Sequence, residues 1–173
     1  MKSQSRKSPR PKPVASRPFM PGYAVAAASE GKRLLPWSWA RERLEKSKNY
    51  WISTTRPDGR PHSVPIWGIW MDQRFVFSSG RESRKARNLA ANPRCVITND
   101  NGDEAVIVEG IAFETADLAL LRRYKQRYDP KYNWDLDLAM GPFFIVEPEV
   151  VFAFIDHPGE FTQTATRWKF AAA

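Results

Sequence analysis

RPHSVPIWGIWMDQRFVFSSGRESRKARNLAANPRC, residues 60–95, decides the fold. Its first part, His62 to Trp70, is rich in β-branched and aromatic residues and predicts a strand. Asp72-Gln73 makes a tight turn, and Phe75 to Ser79 returns as a second strand. A polar loop, Gly80-Arg81-Glu82, leads into Ser83-Arg84-Lys85-Ala86-Arg87-Asn88-Leu89. Ser83 is a good helix N-cap, and Pro93 stops the helix. Free N–H groups at a helix start attract anions. First-turn side chains lean back toward the N-terminus, so Arg84 and Lys85 can serve the same anion. Two readings of these cations stand: a solvated helix face, or a phosphate site behind a Ser-Ser-Gly that admits a ligand to the backbone.

Upstream, Pro36 leads into a short amphipathic helix over Ala40–Ser47, and Tyr50–Thr55 has strand composition. Arg56-Pro57-Asp58-Gly59 is a turn in which proline presets φ and glycine takes positive φ. The His62–Trp70 strand therefore pairs antiparallel with Tyr50–Thr55. Downstream, Arg94–Asn99 and Ala105–Phe113 are strands joined by the Asn99-Asp100-Asn101-Gly102 turn. Thr115 caps a helix that runs to Tyr128, with Leu118, Leu121 and Tyr124 on one face. A polar, aromatic loop begins at Lys131-Tyr132-Asn133-Trp134-Asp135. Phe143–Glu147 and Val150–Asp156 are strands interrupted at Pro148, and Thr164–Phe170 alternates as a terminal strand. The expected fold class is mainly β (α+β): a barrel of six or seven mostly antiparallel strands with two or three peripheral helices.

Length fits one domain with a tail: residues 1–31 as a disordered basic arm and 32–173 as the folded domain. The net charge of +8 is concentrated at the start. Residues 1–33 hold eight Lys/Arg against Glu30, whereas residues 34–173 hold nineteen against eighteen acids. The body is nearly neutral and lacks a domain-wide footprint for nucleic acid, leaving nucleic-acid contact only to the arm. Phe19-Met20-Pro21 and Tyr23-Ala24-Val25 are pieces of the arm able to dock. No apolar stretch has the length of a signal peptide or a membrane span. Cys95 is the one cysteine, which excludes an internal disulfide and fits a reducing cytoplasm. With His62 and His157 as the two histidines, neither a nucleophile signature nor zinc-ligand spacing occurs.

Strand, hairpin and Ser-Arg-Lys helix start together resemble the flavin-binding core of the pyridoxamine 5′-phosphate oxidase-like split-barrel family. The likeness runs loosely from about Pro36 to Phe170. It implies a split β-barrel, with His62-Ser63-Val64-Pro65-Ile66-Trp67 along the flavin and Phe77-Ser78 at the ribityl and phosphate contacts. It favours the phosphate reading for Ser79, Ser83, Arg84, Lys85 and Asn88. It also implies a C-terminal segment closing over the flavin across a homodimer boundary, here Arg167 and Trp168 with Lys169 behind. A cation near flavin N1 stabilises the reduced ring, a role that falls to Arg167.

Ala105 stands where the vitamin-B6 oxidases carry a flavin-contacting glutamine, and their Arg-rich substrate signature is absent. The Lys-Ala-Arg-Asn-Leu helix and Thr-Arg-Trp-Lys-Phe ending look more like the flavin/deazaflavin oxidoreductase branch. The expectation is a cytoplasmic, homodimeric oxidoreductase using FMN or the deazaflavin coenzyme, moving a hydride to or from a small organic substrate. Hydride transfer needs no side-chain acid or base, so no catalytic residue is named, and His62 is the one titratable candidate. A non-catalytic flavin- or haem-binding protein, and an interaction protein with a nucleic-acid-binding arm, are the competing readings.

Overall fold

The computed structural model describes residues 11–23, 25 and 34–171. The hairpin expected between the first two body strands forms as β2 (Tyr50–Thr55) and β3 (Pro61–Ile66). Its turn is closed by Gly59 N donating to Arg56 O at 2.9 Å, with Gly59 at φ +83°. The continuous strand expected from His62 to Trp70 is instead broken at Trp67-Gly68, after which β4 (Ile69–Met71) turns into β5 (Arg74–Ser78). A Cβ on Gly68 would lie 2.4 Å from the Phe75 ring and 2.8 Å from Val76 O, so any side chain here would force its neighbours to shift. Asp72 and Gln73 both take positive φ, 52° and 56°, the left-handed pair that matches strand twist in a two-residue hairpin.

Helix α2 (Arg84–Ala91) starts where the sequence places it: Ser83 Oγ accepts from Ala86 N at 3.2 Å. Strands β6 (Arg94–Asn99) and β7 (Glu104–Thr115) follow, and β8 (Phe143–Ile155) crosses Pro148 without a break. The proline faces a register shift at Glu109/Gly110, where the missing N–H costs no ladder bond. Helix α3 (Leu118–Tyr132) is capped by Asp117, not Thr115: Asp117 Oδ1 accepts from Ala119 N and Leu120 N. It runs a full turn past Tyr128 and ends at Asn133 in the left-handed region. Tyr124, Tyr128 and Tyr132, each four residues apart, are all buried and hold that extra turn to the body.

The remaining helices are α1 (Trp37–Lys46) and the short α4 (Phe161–Thr164). The N-terminal arm is not free of structure throughout. Its β1 (Val14–Ser16) pairs antiparallel with β9 (Thr166–Lys169), and the Arg17 guanidinium, 8% exposed, donates to Ala165 O at 2.8 Å. Tyr23 lies 5.9 Å from Phe161, ring to ring. The rest of the expected arm, residues 1–10, 24 and 26–31, lies outside the described residues.

The sheet runs β1-β9-β8-β7-β6-β2-β3, all antiparallel, and β5 returns to pair with the first half of β8. The sheet does not close, and the fold is a split barrel. Directly opposed residues share a face. One row, Val64, Ile52, Ile97, Val108, Val151 and Trp168, points inward and forms the barrel core. The next row, Pro65, Trp51, Thr98, Ile107, Phe152, Arg167 and Ser16, points outward. A second core under α3 gathers Ile69, Met71, Val76 and the three tyrosines.

Candidate functional site

Where β3 ends, β5 ends and α2 begins, α3 closes the fourth side of a cavity of about 350 Å³. Its lining is Asn49, Pro65, Ile66, Trp67, Ser78, Lys85 and Tyr128. Pro65, Ile66, Trp67, Ser78 and Lys85 are residues the sequence points to. Asn49 and Tyr128 are not; they precede β2 and lie on α3, and only the fold brings them to the end of β3.

One end of the cavity is cationic. Lys85 is half-buried, and burial holds its ammonium below the ordinary lysine value. Among the described residues neither Lys85 nor Arg84 has a salt-bridge partner. Asp58 is taken by Arg60, whose Nε and Nη2 reach its Oδ2 at 3.0 and 2.6 Å. Ser79 Oγ lies 2.7 Å from Ser83 Oγ, and Gly80 opens onto free space. His62 sits at the same end. Its ring is held below the ordinary histidine value by burial first, then by the positive charges of Arg56, Arg84 and Lys85. Lys85 thus lines the cavity at the capped start of α2, and the lining holds no carboxylate to pair with it, an arrangement that favours an anion.

The other end is aromatic. Trp67, 41% exposed, stacks on Tyr132 with centroids 4.7 Å apart and planes 13° apart. Its indole N–H donates to Asn49 Oδ1 at 3.2 Å, and Trp134 approaches it edge-on at 6.5 Å.

The remaining predicted residues stand elsewhere. Val64 packs on the barrel core, and Ser63 faces out, its Oγ 3.0 Å from Ser53 Oγ. Phe77 is fully buried and stacks on Phe144 at 5.2 Å. Asn88 is also fully buried; its Nδ2 donates to Thr54 Oγ1 at 2.9 Å, tying α2 to β2, while its Oδ1 has no protein partner. Arg167 and Trp168 are five strands from β3 along the sheet. Arg167 Nε donates to Ser16 Oγ at 3.1 Å on the outer face, and Trp168, 1% exposed, is enclosed in the core. Neither reaches the cavity of its own protomer.

Cys95 is buried, which pushes its thiol up to about 12. No group of three metal-ligating side chains comes together among the described residues. No helix among them is long and apolar enough to cross a membrane.

Solved structures share this architecture. An F420 reductase is 25% identical, matching 64% of this chain and 94% of its own at a TM-score of 0.53. A FAD-binding protein from Mesorhizobium loti, 20% identical, matches 81% of this chain and 98% of its own at 0.55. A heme binding protein from Mycobacterium smegmatis, 17% identical, matches 69% and 55% at 0.56. At such identities the last two show the fold. A search of curated proteins finds no match. The family model described as pyridoxamine 5′-phosphate oxidase matches residues 39–150, from within α1 to the middle of β8, and includes every residue that lines the cavity. The chain belongs to the pyridoxamine 5′-phosphate oxidase family of split-barrel proteins.

Proposed function

We propose that the cavity binds FMN or the deazaflavin coenzyme and that the protein is an oxidoreductase acting on a small organic substrate. The observation that carries this reading is Lys85: a half-buried cation without a carboxylate partner, lining a cavity that Trp67 walls at its other end. A phosphate supplies the missing anion and a planar ring system suits the aromatic wall. Ser79, Ser83, Arg84 and Lys85 would hold the phosphate. Pro65, Ile66, Trp67, Asn49 and Tyr128 would orient the ring and exclude water from it. When bound, the cofactor supplies the hydride donor and acceptor. His62 is the titratable group beside the phosphate end and would tune its charge.

The outward row from Pro65 to Arg167 supports a homodimer. Trp51, 45% exposed, and half-buried Thr98, Ile107 and Phe152 make an apolar stripe. In a two-fold assembly, the same stripe on two subunits would bring Arg167 of one toward the cavity of the other. We place such a dimer in the cytoplasm, on its single, buried cysteine.

The test is reconstitution of the purified protein with FMN, riboflavin, the deazaflavin coenzyme and haem, followed by visible absorption and a reductant screen. A flavin or deazaflavin spectrum that bleaches with a physiological reductant and recovers with an organic acceptor is the expected result. A bound but unreactive flavin makes the protein a carrier, and a Soret band makes it a haem protein. The lining offers none of the histidine, cysteine or methionine ligands common at haem iron.

A further inference from the structure

Lys131 sits outside the cavity and makes no salt bridge among the described residues. Half-buried at the end of α3, its ammonium donates to Tyr50 Oη at 2.8 Å, to Glu45 O at 3.3 Å and to Gly68 O at 3.3 Å. It also lies 4.9 Å over the Tyr50 ring and 5.5 Å over the Tyr132 ring. An ammonium has three N–H groups, and here each has an acceptor. The neutral amine has two, so deprotonation releases one of these acceptors.

The acceptor that matters is Gly68 O. Tyr132 Oη accepts from Gly68 N at 2.9 Å and lies within hydrogen-bond distance of two carbonyls, Lys48 O at 2.8 Å and Gly68 O at 2.9 Å. A phenol has one proton, so the two carbonyls compete for it. Lys131 gives Gly68 O a donor of its own, so the Tyr132 proton is free to serve Lys48 O without leaving Gly68 O unpaired. Gly68 is the break between β3 and β4, and the residue before it is Trp67, the aromatic wall.

We propose that Lys131 is a positioning residue: its ammonium fixes the Trp67-Gly68 break and so holds Trp67 against Tyr132 as the wall on which a planar ligand lies. The ligand half of this inference rests on the flavin reading above; the wall half does not. Burial lowers the Lys131 ammonium to about 8, with the opposing charge of Asp100 at the β6–β7 turn raising it. Other groups around it are the Tyr50 and Tyr132 phenols, both pushed up by burial, Tyr132 to about 12. Neither phenol ionises before Lys131 does. The folded protein therefore gives up this proton more readily than the unfolded chain. The charged form costs stability below about pH 8, and that cost is relieved as pH rises toward the ordinary lysine value of 10.5.

Amide and indole hydrogen exchange by NMR tests the wall on the ligand-free protein. Lys131→Met should lower protection of the Gly68 amide and the Trp67 indole N–H roughly tenfold, the worth of one hydrogen bond to a charged group. Protection at Val106 and Val151 should stay as in the wild type. The wild type should show the same loosening as pH rises through about 8, and Lys131→Met should not. Riboflavin is the ligand probe, because it has no phosphate for Lys85 or His62 to read. Its affinity should fall roughly tenfold in Lys131→Met. Unchanged protection at Gly68 and Trp67, or a loss spread equally over Val106 and Val151, overturns the proposal. A wild type that binds no riboflavin and no FMN sinks the flavin reading, while the exchange data still decide the role of Lys131.

Discussion

Arg167 and Trp168 are adjacent in sequence and serve opposite faces of the sheet. Arg167 reaches Ser16 Oγ at 3.1 Å on the outside, while the Trp168 ring lies 5.5 Å from Trp37 inside the barrel. Strand alternation forces this: with Trp168 opposite Val151 in the core row, Arg167 must face out. The two cannot contact one ligand together from one protomer. In the dimer proposed above, Arg167 would reach the second subunit from this outer face.

That geometry predicts a dimer whose centre includes Trp51. Sedimentation at micromolar concentration should give a dimer for the wild type. Trp51→Glu, which puts a charge into the apolar stripe, should shift it to monomer without unfolding it. A wild-type monomer, or a Trp51→Glu dimer as tight as the wild type, counts against this interface.

Removing β1 should weaken the fold. Deleting residues 1–17 strips the edge of β9 and leaves the fully buried Ala165 without the Arg17 donor at its carbonyl. Such a loss is worth about 1–3 kcal/mol. For a chain of this length it lowers the thermal midpoint by about 2–12 °C. An unchanged midpoint would make the arm dispensable.

Gly68→Ala should destabilise by about 1–3 kcal/mol through overpacking, since the new methyl group meets the Phe75 ring and Val76 O. Because the same residue sets Trp67, ligand affinity at the aromatic end should fall with it. Equilibrium urea unfolding and riboflavin titration read the two effects separately.

The ligand-free protein should lose stability on acidification through His62. Its folded-state value is depressed below 6.5, so the unfolded chain binds more protons as pH falls below that value, and stability drops. Bound phosphate offsets Arg56, Arg84 and Lys85 and should flatten the slope. Comparing urea midpoints of wild type and His62→Gln at about pH 8 and about pH 5 isolates the group. Parallel slopes for the two proteins would remove His62 from the account.

The 60–95 stretch was legible because its signals are local. Asp72-Gln73, Ser83 and Pro93 each act within a few residues, and the hairpin, cap and helix stop form as read. The break at Gly68 was not legible, since its causes are the Phe75 ring and the Tyr132 hydroxyl, 64 residues away. α3 runs past its expected end at Tyr128 because Tyr128 and Tyr132 hold the last turn only through what they bury against. The i, i+4 spacing of the three tyrosines was the available signal. At the site, residue types at the cationic end could be read from Ser83-Arg84-Lys85. The aromatic end joins β3 to a distant helix, so Asn49, Tyr128 and Lys131 emerge only from the fold. On β3 and β5 the alternation of faces separates Pro65 and Ser78, which line the cavity, from Val64 and Phe77, which build the core.

The central claim, that the cavity ends in a phosphate site, is tested most directly by measuring FMN and riboflavin affinities side by side for the wild type, Lys85→Ala and Arg84→Ala. Each cation should contribute through charge-assisted hydrogen bonds worth roughly 1.5–3 kcal/mol, or about a ten- to hundredfold loss of FMN affinity per substitution. Riboflavin affinity should barely move. Arg87→Ala, a turn further along α2, should cost less, and Arg122→Ala on α3 nothing. If FMN and riboflavin lose affinity equally, the cations do not hold a phosphate, and the start of α2 is a solvated basic face.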